Sequence, residues 1–401
     1  VVARVVPCVE SAPAASTLPG VGPETSIAYW STRYAAAFDR VVLDATGIDA
    51  LDRELAMRGH GGLGPRTLME PPDPDRIGAL VRGRLSAMDD RAHAGELVER
   101  GGAQLTLAAL HTFDVPRELP PLSPELHFAL APVALHCAPR PEPLEQGDAR
   151  FDRNLCSTLE PNEPVELLLR WPNGMTLART PYVIGFVERD ASLSPTIDSR
   201  AVLASPQVLV TGSHEPLPLV DGAVARPTAS GLSSESRAPD AIDLPRALTR
   251  RAMFEQAFAR LGEPYVWGGN DCSSLTQDLF LAFGLHLPRN SAEQAETGTA
   301  RIELSARDDD DARRSVIVAA GERGIVLLAF PGHVMLYLGT NDAGEPMVLH
   351  ALAEYVEPCA GGGETLRLVD RVVVSDLNLG ARTSRGSLLS RVTRVVVFGD
   401  R

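Results

Sequence analysis

Residues 264–275 read Pro264-Tyr265-Val266-Trp267-Gly268-Gly269-Asn270-Asp271-Cys272-Ser273-Ser274-Leu275. The Gly-Gly pair marks a turn, and Leu275, Leu279 and Phe283 then recur every fourth position until Gly284. Cys272 therefore opens an amphipathic helix. A thiol at that place faces unpaired backbone N–H groups and the positive end of the helix dipole. Both favour thiolate, so its expected pKa lies below the free value near 8.5, and the same N–H groups are placed to hold an oxyanion. On position alone, a small buried apolar cysteine is the competing reading.

A nucleophilic thiol works with a base, and the base with an orienting partner. Downstream, Gly332-His333-Val334-Met335-Leu336-Tyr337-Leu338-Gly339 alternates as a strand with His333, Met335 and Tyr337 on one face. Asn341, Asp342 and Gly344 supply hairpin chemistry, and the return strand from Met347 to Leu352 carries His350. A loop centred between Asp342 and Ala343 makes His350 the diagonal neighbour of His333. A centre between Asn341 and Asp342 sets the two directly opposite. Either register brings their Cβ atoms within about 5–8 Å, whereas a slip of one residue sends His350 to the other face.

Outward from these motifs, the chain has 401 residues, which predicts two to three domains at about 150 residues each. The last segment, from about Leu244, starts with helices (Arg246 to Leu261, then the Cys272 helix) and continues with strand-like runs, including Gly324 to Phe330 and Leu366 to Ser375. That is an α+β order. The charged run Arg307 to Arg314 reads as a solvated loop. Before it, Arg226 to Asp243 is dominated by Pro, Ser and Ala and reads as a linker or long loop. Short apolar runs between Leu126 and Thr196 suggest a small β-barrel or sandwich, and Ala201 to Val210 reads as a strand of a second strand-rich piece. The first region, to about Glu125, mixes helical stretches (Ser31 to Phe38, Arg76 to Met88, His93 to Arg100) with Pro- and Gly-rich joints.

Net charge is −14, a field that repels phosphate backbones and anionic headgroups, so nucleic-acid binding is not expected. No stretch approaches the ~18 apolar residues of a membrane-spanning helix. All 38 basic residues are arginine, which excludes Schiff-base and Walker-lysine chemistry. Five cysteines without CxxC spacing make a zinc site improbable, and the odd number leaves at least one free thiol. Val1 to Ala15 shows no signal-peptide pattern. Pairing of Cys137 with Cys156 is left open by their separation alone.

PYVWGG, DCSSL, LPRNS, GHVMLYLG and VLHA, in that order and spacing, resemble the NlpC-type cell-wall cysteine peptidases. The resemblance covers about Leu244 to Arg401 and implies a papain-like α+β domain. It is closest to the branch with an N-terminal stabilising domain and two bacterial SH3-like domains. The expected organisation is therefore multidomain α+β: a mixed N-terminal region over 1–125, SH3-like β-barrels at 126–196 and within 197–243, and the peptidase at 244–401. Glu163 to Leu167 and Gly185 to Val187 are similar to the first barrel.

The resemblance further implies Cys272 as nucleophile, His333 as general base, His350 as its orienting partner and Tyr265 beside the oxyanion. Asp271 and Ser273 match positions that bind the free amine of an N-terminal L-Ala, and Ser291 borders the groove. Helix capping or ordinary packing is the alternative for these last residues and for Tyr265. Two departures are visible: only Asn270 separates Gly269 from Asp271, and DCSSL replaces the commoner DCSG. The implied substrate is a peptidoglycan stem peptide, cut between γ-D-glutamate and diaminopimelate, with no metal or cofactor required. The cell envelope is the expected location, with cytoplasmic recycling of wall peptides as the alternative. A catalytically inactive wall-binding protein, or an amidase or acyltransferase on the same fold, is the rival reading.

Overall fold

The structure is a computed structural model that describes residues 18, 21–58, 64–114, 116, 118–210 and 216–399. Val1 to Ala15, and with them Cys8, lie outside the described residues. The chain divides into two compact units. One comprises residues up to Leu55, Pro245–Val266 and Asn270–Arg401, and the other Ala56–Leu244 with the loop Trp267–Gly269.

The first unit is built on a six-stranded antiparallel sheet. Its order is Ala300–Glu303, Arg394–Gly399, Gly324–Phe330, His333–Thr340, Pro346–Pro358 and Glu364–Asp376. Gly324–Phe330 is buried along its whole length, as a central strand covered on both faces must be. On one face Val326, Leu328, Met335, Tyr337 and Val397 share a core with Ile317 of the helix Asp310–Arg323. Phe398 points the other way, where Phe280 of the helix Cys272–Leu281 meets it at 4.2 Å between ring centroids. The charged run read as a solvated loop proves instead to be the start of Asp310–Arg323. Asp309 caps it by accepting from the Ala312 N–H, and Asp310 and Asp311 sit in the first turn, where the helix dipole favours acidic residues.

The hairpin carrying the histidines pairs Leu336 with Leu349 and Tyr337 with Val348, the register that sets His350 diagonal to His333. The register then shifts at Gly339, whose φ of +131° and close neighbours require glycine. The helix Ile27–Tyr34 covers this bulge. Tyr34 donates from its hydroxyl to the Leu338 carbonyl at 2.7 Å, and Trp30, Tyr34 and Phe38 close around Phe254 of the helix Arg250–Ala259.

The second unit holds the helix Pro74–His93, whose Ile77, Val81, Leu85 and Met88 pack with Leu168, Leu177 and Phe186 of a six-stranded antiparallel sheet and with Trp171 just past one of its strands. That sheet runs Glu125–Phe128, Pro164–Arg170, Thr176–Arg179, Ile184–Val187, Val133–His136 and Leu155–Leu159. A five-stranded sheet follows the order Gly231–Glu235, Ala223–Thr228, Leu217–Val220, Gln207–Leu209 and Ile242–Leu244. Both orders are open, so the strand-rich middle of the chain is as expected but neither sheet closes into a barrel. Cys137 and Cys156 form a disulfide. Within the loop between them, the Asp152 carbonyl accepts from Trp267 Nε1 at 2.6 Å, and Arg153 and Phe151 pack on the Trp267 ring.

Three local readings are corrected. Arg226 to Asp243 is not a linker: it contributes the hairpin of Ala223–Thr228 with Gly231–Glu235, whose alternating exposure shows an edge strand with one wet face. Ala201 to Val210 splits into a 3₁₀ turn, Arg200–Ala204, and a short strand, Gln207–Leu209. His93 to Arg100 is a turn and the two-residue strand Val98–Glu99, because Gly95 adopts φ +70° just past the helix end.

A Cβ at Gly339 would lie 2.7 Å from the Tyr34 hydroxyl oxygen and 2.9 Å from the Trp30 ring, whereas one at Gly344 meets nothing within 4 Å. Gly339→Ala should therefore cost about 2–3 kcal/mol in urea unfolding, against about 1 kcal/mol for Gly344→Ala, which adds backbone strain alone. Equal losses would show that the Ile27–Tyr34 helix does not press on the bulge.

Candidate active site

The helix Cys272–Leu281 begins with a capping box. The Asp271 carboxylate accepts from the Ser273 and Ser274 N–H groups, and the Asp271 N–H donates to Ser274 Oγ. Asp271 also accepts from both outer nitrogens of Arg289, at 3.0 and 2.8 Å, and from the Ser273 hydroxyl at 3.0 Å. Arg289 donates to Ser273 Oγ as well, at 2.9 Å. Both members of the ion pair are buried. Burial alone would raise the Asp271 carboxyl, but Arg289 and the hydrogen bonds outweigh it and hold the group below the usual carboxylate value.

Arg289 belongs to the Leu287-Pro288-Arg289-Asn290-Ser291 segment, which a second link fastens to the same helix. Gln294, fully buried, donates to the Ser273 carbonyl at 2.7 Å and the Pro288 carbonyl at 2.8 Å, and accepts from Thr276 Oγ1. Ser291 itself opens the short helix Ser291–Gln294, which Asn290 caps, and is half-buried. Asp271 and Ser273 thus do what the capping alternative described, and they also carry a buried cation that sequence reasoning had not singled out. Arg289 stands in the quoted LPRNS motif, but nothing in that motif by itself marks it as the partner of Asp271.

Cys272 is buried and free of any disulfide. Its sulfur lies within hydrogen-bond reach of the Val334 and Ser273 N–H groups, which sets it against the first turn of its own helix and the start of the His333 strand. Burial, reinforced by the Asp271 carboxylate, pushes the thiol up to about 12. The expected lowering does not occur. The Asp271 cap that shapes the helix start also cancels the positive end of its dipole, and it takes two of the N–H groups that were expected to serve the thiol.

His333 Nε2 and His350 Nδ1 are 2.8 Å apart, and His350 Nε2 is 3.1 Å from Ser375 Oγ. His350 and Ser375 are buried, and His333 is half-buried. Burial, aided by Arg391 and opposed by Asp271, lowers His333 to about 3. Burial and the neighbouring His333 hold His350 well below its usual value. At neutral pH the site is therefore a thiol and two neutral imidazoles. Ser375, at the end of the Glu364–Asp376 strand, is a further member that the sequence reading passed over, because a serine late in an apolar strand has no pattern of its own.

Tyr265 is half-buried, and its N–H donates to the Asp370 carbonyl at 2.9 Å, so its segment runs beside the Glu364–Asp376 strand. Asn270 closes the intervening loop: its carbonyl accepts from the Val266 N–H at 3.0 Å and its side chain donates to the Pro264 carbonyl at 2.9 Å. Among the described residues no group of three or more His, Cys, Asp or Glu side chains could hold a metal ion, and no helix is long and apolar enough to cross a membrane.

Residues 262–360 match the family model described as NlpC/P60. A probable endopeptidase of Corynebacterium glutamicum (strain R) is 36% identical over 91 residues, 21% of this chain and 43% of that protein. The peptidoglycan endopeptidase RipB of Mycobacterium tuberculosis is 30% identical over 140 residues, 29% of this chain and 51% of RipB. The chain thus spans about half the length of the curated relatives it matches. Among solved structures, an NlpC/P60 endopeptidase from Photobacterium damselae subsp. piscicida superposes with a TM-score of 0.68, covering 92% of this chain and 97% of that one at 14% identity. That likeness is one of fold.

Two outcomes follow from the site. With its thiol at about 12, Cys272 should react with iodoacetamide at pH 7.5 about three orders of magnitude more slowly than free cysteine, speeding up about tenfold per pH unit. Rapid alkylation at pH 6–7 would instead reveal a thiolate already paired with imidazolium. Arg289→Ala leaves a buried carboxylate unpaired and should cost about 3–5 kcal/mol at pH 7. Because the native Asp271 pKa is depressed, its contribution is present above the unfolded value and lost as pH falls through the native one. The difference between variant and wild type in denaturant unfolding should accordingly shrink below pH 4.

Proposed function

We propose that this chain, which carries an NlpC/P60 domain over residues 262–360, is a cysteine endopeptidase of peptidoglycan stem peptides that cuts between γ-D-glutamate and diaminopimelate. The observation that supports the reading is the nearness in the fold of segments distant in the sequence. Cys272 stands at a helix start against the Val334 N–H, and His333, the residue before it, is hydrogen-bonded to His350. A thiol, a base and an orienting group are what acyl transfer needs. Endopeptidase relatives and the NlpC/P60 family support a peptidase, and the diaminopimelyl bond comes from the family resemblance.

In the resting site both partners are neutral, so His333 takes the thiol proton as sulfur attacks the carbonyl rather than before. The Asp271 cap occupies the Ser273 and Ser274 N–H groups. The donor of the first turn that this cap does not take is the Cys272 N–H, and with the Tyr265 hydroxyl it would receive the oxyanion. His333 then gives its proton to the leaving amine, and water releases the acyl group with His333 again as base. Preference for a free N-terminal L-Ala has thinner support, since Asp271 already holds Arg289. Residues 126–196 and 197–243 would serve as SH3-like modules, within a unit whose sheets are open. Relatives such as RipB and a disulfide at Cys137–Cys156 both fit an envelope or secreted location, where disulfides persist.

The test is mass spectrometry of L-Ala-γ-D-Glu-diaminopimelate and its N-acetylated form after incubation with the protein. Cleavage of the free tripeptide should be lost in Cys272→Ala and fall about 10²–10⁴-fold in His333→Ala. Equal cleavage of the acetylated form would keep the peptidase and remove the amine preference. No cleavage of either would favour the wall-binding protein.

A further inference from the structure

The three side chains His333, His350 and Ser375 form an unbranched line: Nε2 of His333 to Nδ1 of His350 at 2.8 Å, then Nε2 of His350 to Oγ of Ser375 at 3.1 Å. Each neutral imidazole carries one proton on one of its two nitrogens, and which nitrogen holds it is set by what the other one meets. The hydrogen bond between the rings needs a single hydrogen, so the line has two states. In one, His350 donates from Nδ1, and His333 must then hold its own proton on Nδ1. That ring has no lone pair left for a thiol. In the other, His333 donates from Nε2, its Nδ1 is bare, and His350 carries its proton on Nε2, directed at Ser375. Only the second state contains a base for Cys272.

We propose that Ser375 is a positioning residue for the reaction assigned to Cys272: its hydroxyl oxygen accepts the Nε2–H of His350 and so holds both histidines in the tautomers that leave His333 Nδ1 unprotonated. The proposal rests on the reading of Cys272 and His333 given above. The step balances within the site. The thiol proton moves to His333 Nδ1, sulfur uses the freed electron pair to bond the carbonyl carbon, the carbonyl π bond breaks with its pair going to oxygen as the oxyanion, and the resulting imidazolium retains its Nε2–H on His350. Ser375 keeps its own hydrogen throughout. A side chain that only filled space in this buried strand would need no oxygen, and alanine would replace it with little chemical consequence.

The experiment is nitrogen NMR of the full chain labelled with ¹⁵N-histidine, for wild type, Ser375→Ala and Ser375→Thr, with kcat and KM for the tripeptide measured alongside. Wild type should show His333 and His350 as Nε2–H tautomers. Ser375→Ala should move His350 toward the Nδ1–H form and lower kcat on the order of 100-fold, with KM within about twofold. Ser375→Thr, which keeps the oxygen, should restore both. A wild-type His350 already in the Nδ1–H form overturns the proposal, as does a folded Ser375→Ala with unchanged tautomers and kcat. Should Ser375→Ala fail to fold, the wild-type spectrum and a folded Ser375→Thr decide: loss of the Nε2–H tautomers in the threonine variant also overturns it. The spectra require no substrate. Wild type with these tautomers but no cleavage would uphold the hydrogen-bond assignment while the peptidase reading fails.

Discussion

The register of one hairpin governs what the site can do. Pairing of Leu336 with Leu349 and Tyr337 with Val348 places the two histidines on the same face and in contact, and a slip by one residue would separate them across the sheet. That register is held at its turn end. Gly339 allows the bulge that ends it, and the Tyr34 hydroxyl binds the Leu338 carbonyl on the same side. The neighbouring strand adds Ser375 through the pairing of Val348 with Ser375, so the hydrogen-bonded line of side chains is a by-product of strand alignment rather than of any loop.

Asp271 shows how one residue can serve structure and oppose chemistry together. As a cap it fixes the start of the Cys272 helix, and as a carboxylate it anchors the LPRNS segment through Arg289. The same charge sits next to the thiol and resists its ionisation. Cys272 therefore rests as a thiol at neutral pH. Under the proposed peptidase reading, ionisation of that thiol would come with substrate, when a carbonyl carbon offers sulfur a bond to form and His333 takes the proton.

The parts legible in the sequence were those with a period or a turn. The Cys272 helix showed a four-residue apolar repeat, and the histidine hairpin showed alternation around Asn341, Asp342 and Gly344, with the observed register one of the two it offered. Charge and composition misled elsewhere. Acidic residues before Ala312 read as solvent-facing loop although they are the dipole-favoured first turn of a helix, and a Pro/Ser/Ala stretch read as linker although its wet-faced strand needs few apolar residues. Arg289 and Ser375 left no pattern because their roles depend on partners 18 and 25 residues away that only the tertiary fold assembles.

The first unit is interrupted: residues 56–244 belong to the other one, and the chain returns at Pro245 to finish what it began. During synthesis, Trp30 must therefore wait for Phe254 until the whole inserted unit has been made, which at ~5–20 residues per second takes on the order of ten to forty seconds. The inserted unit, save for the Trp267–Gly269 loop, is complete first and is free to fold on the ribosome, while the aromatic segment before it stays without its partners. The candidate site is thus made only after the inserted unit, and the price of that order is a helix of exposed aromatic residues that a nascent chain has to keep from aggregating.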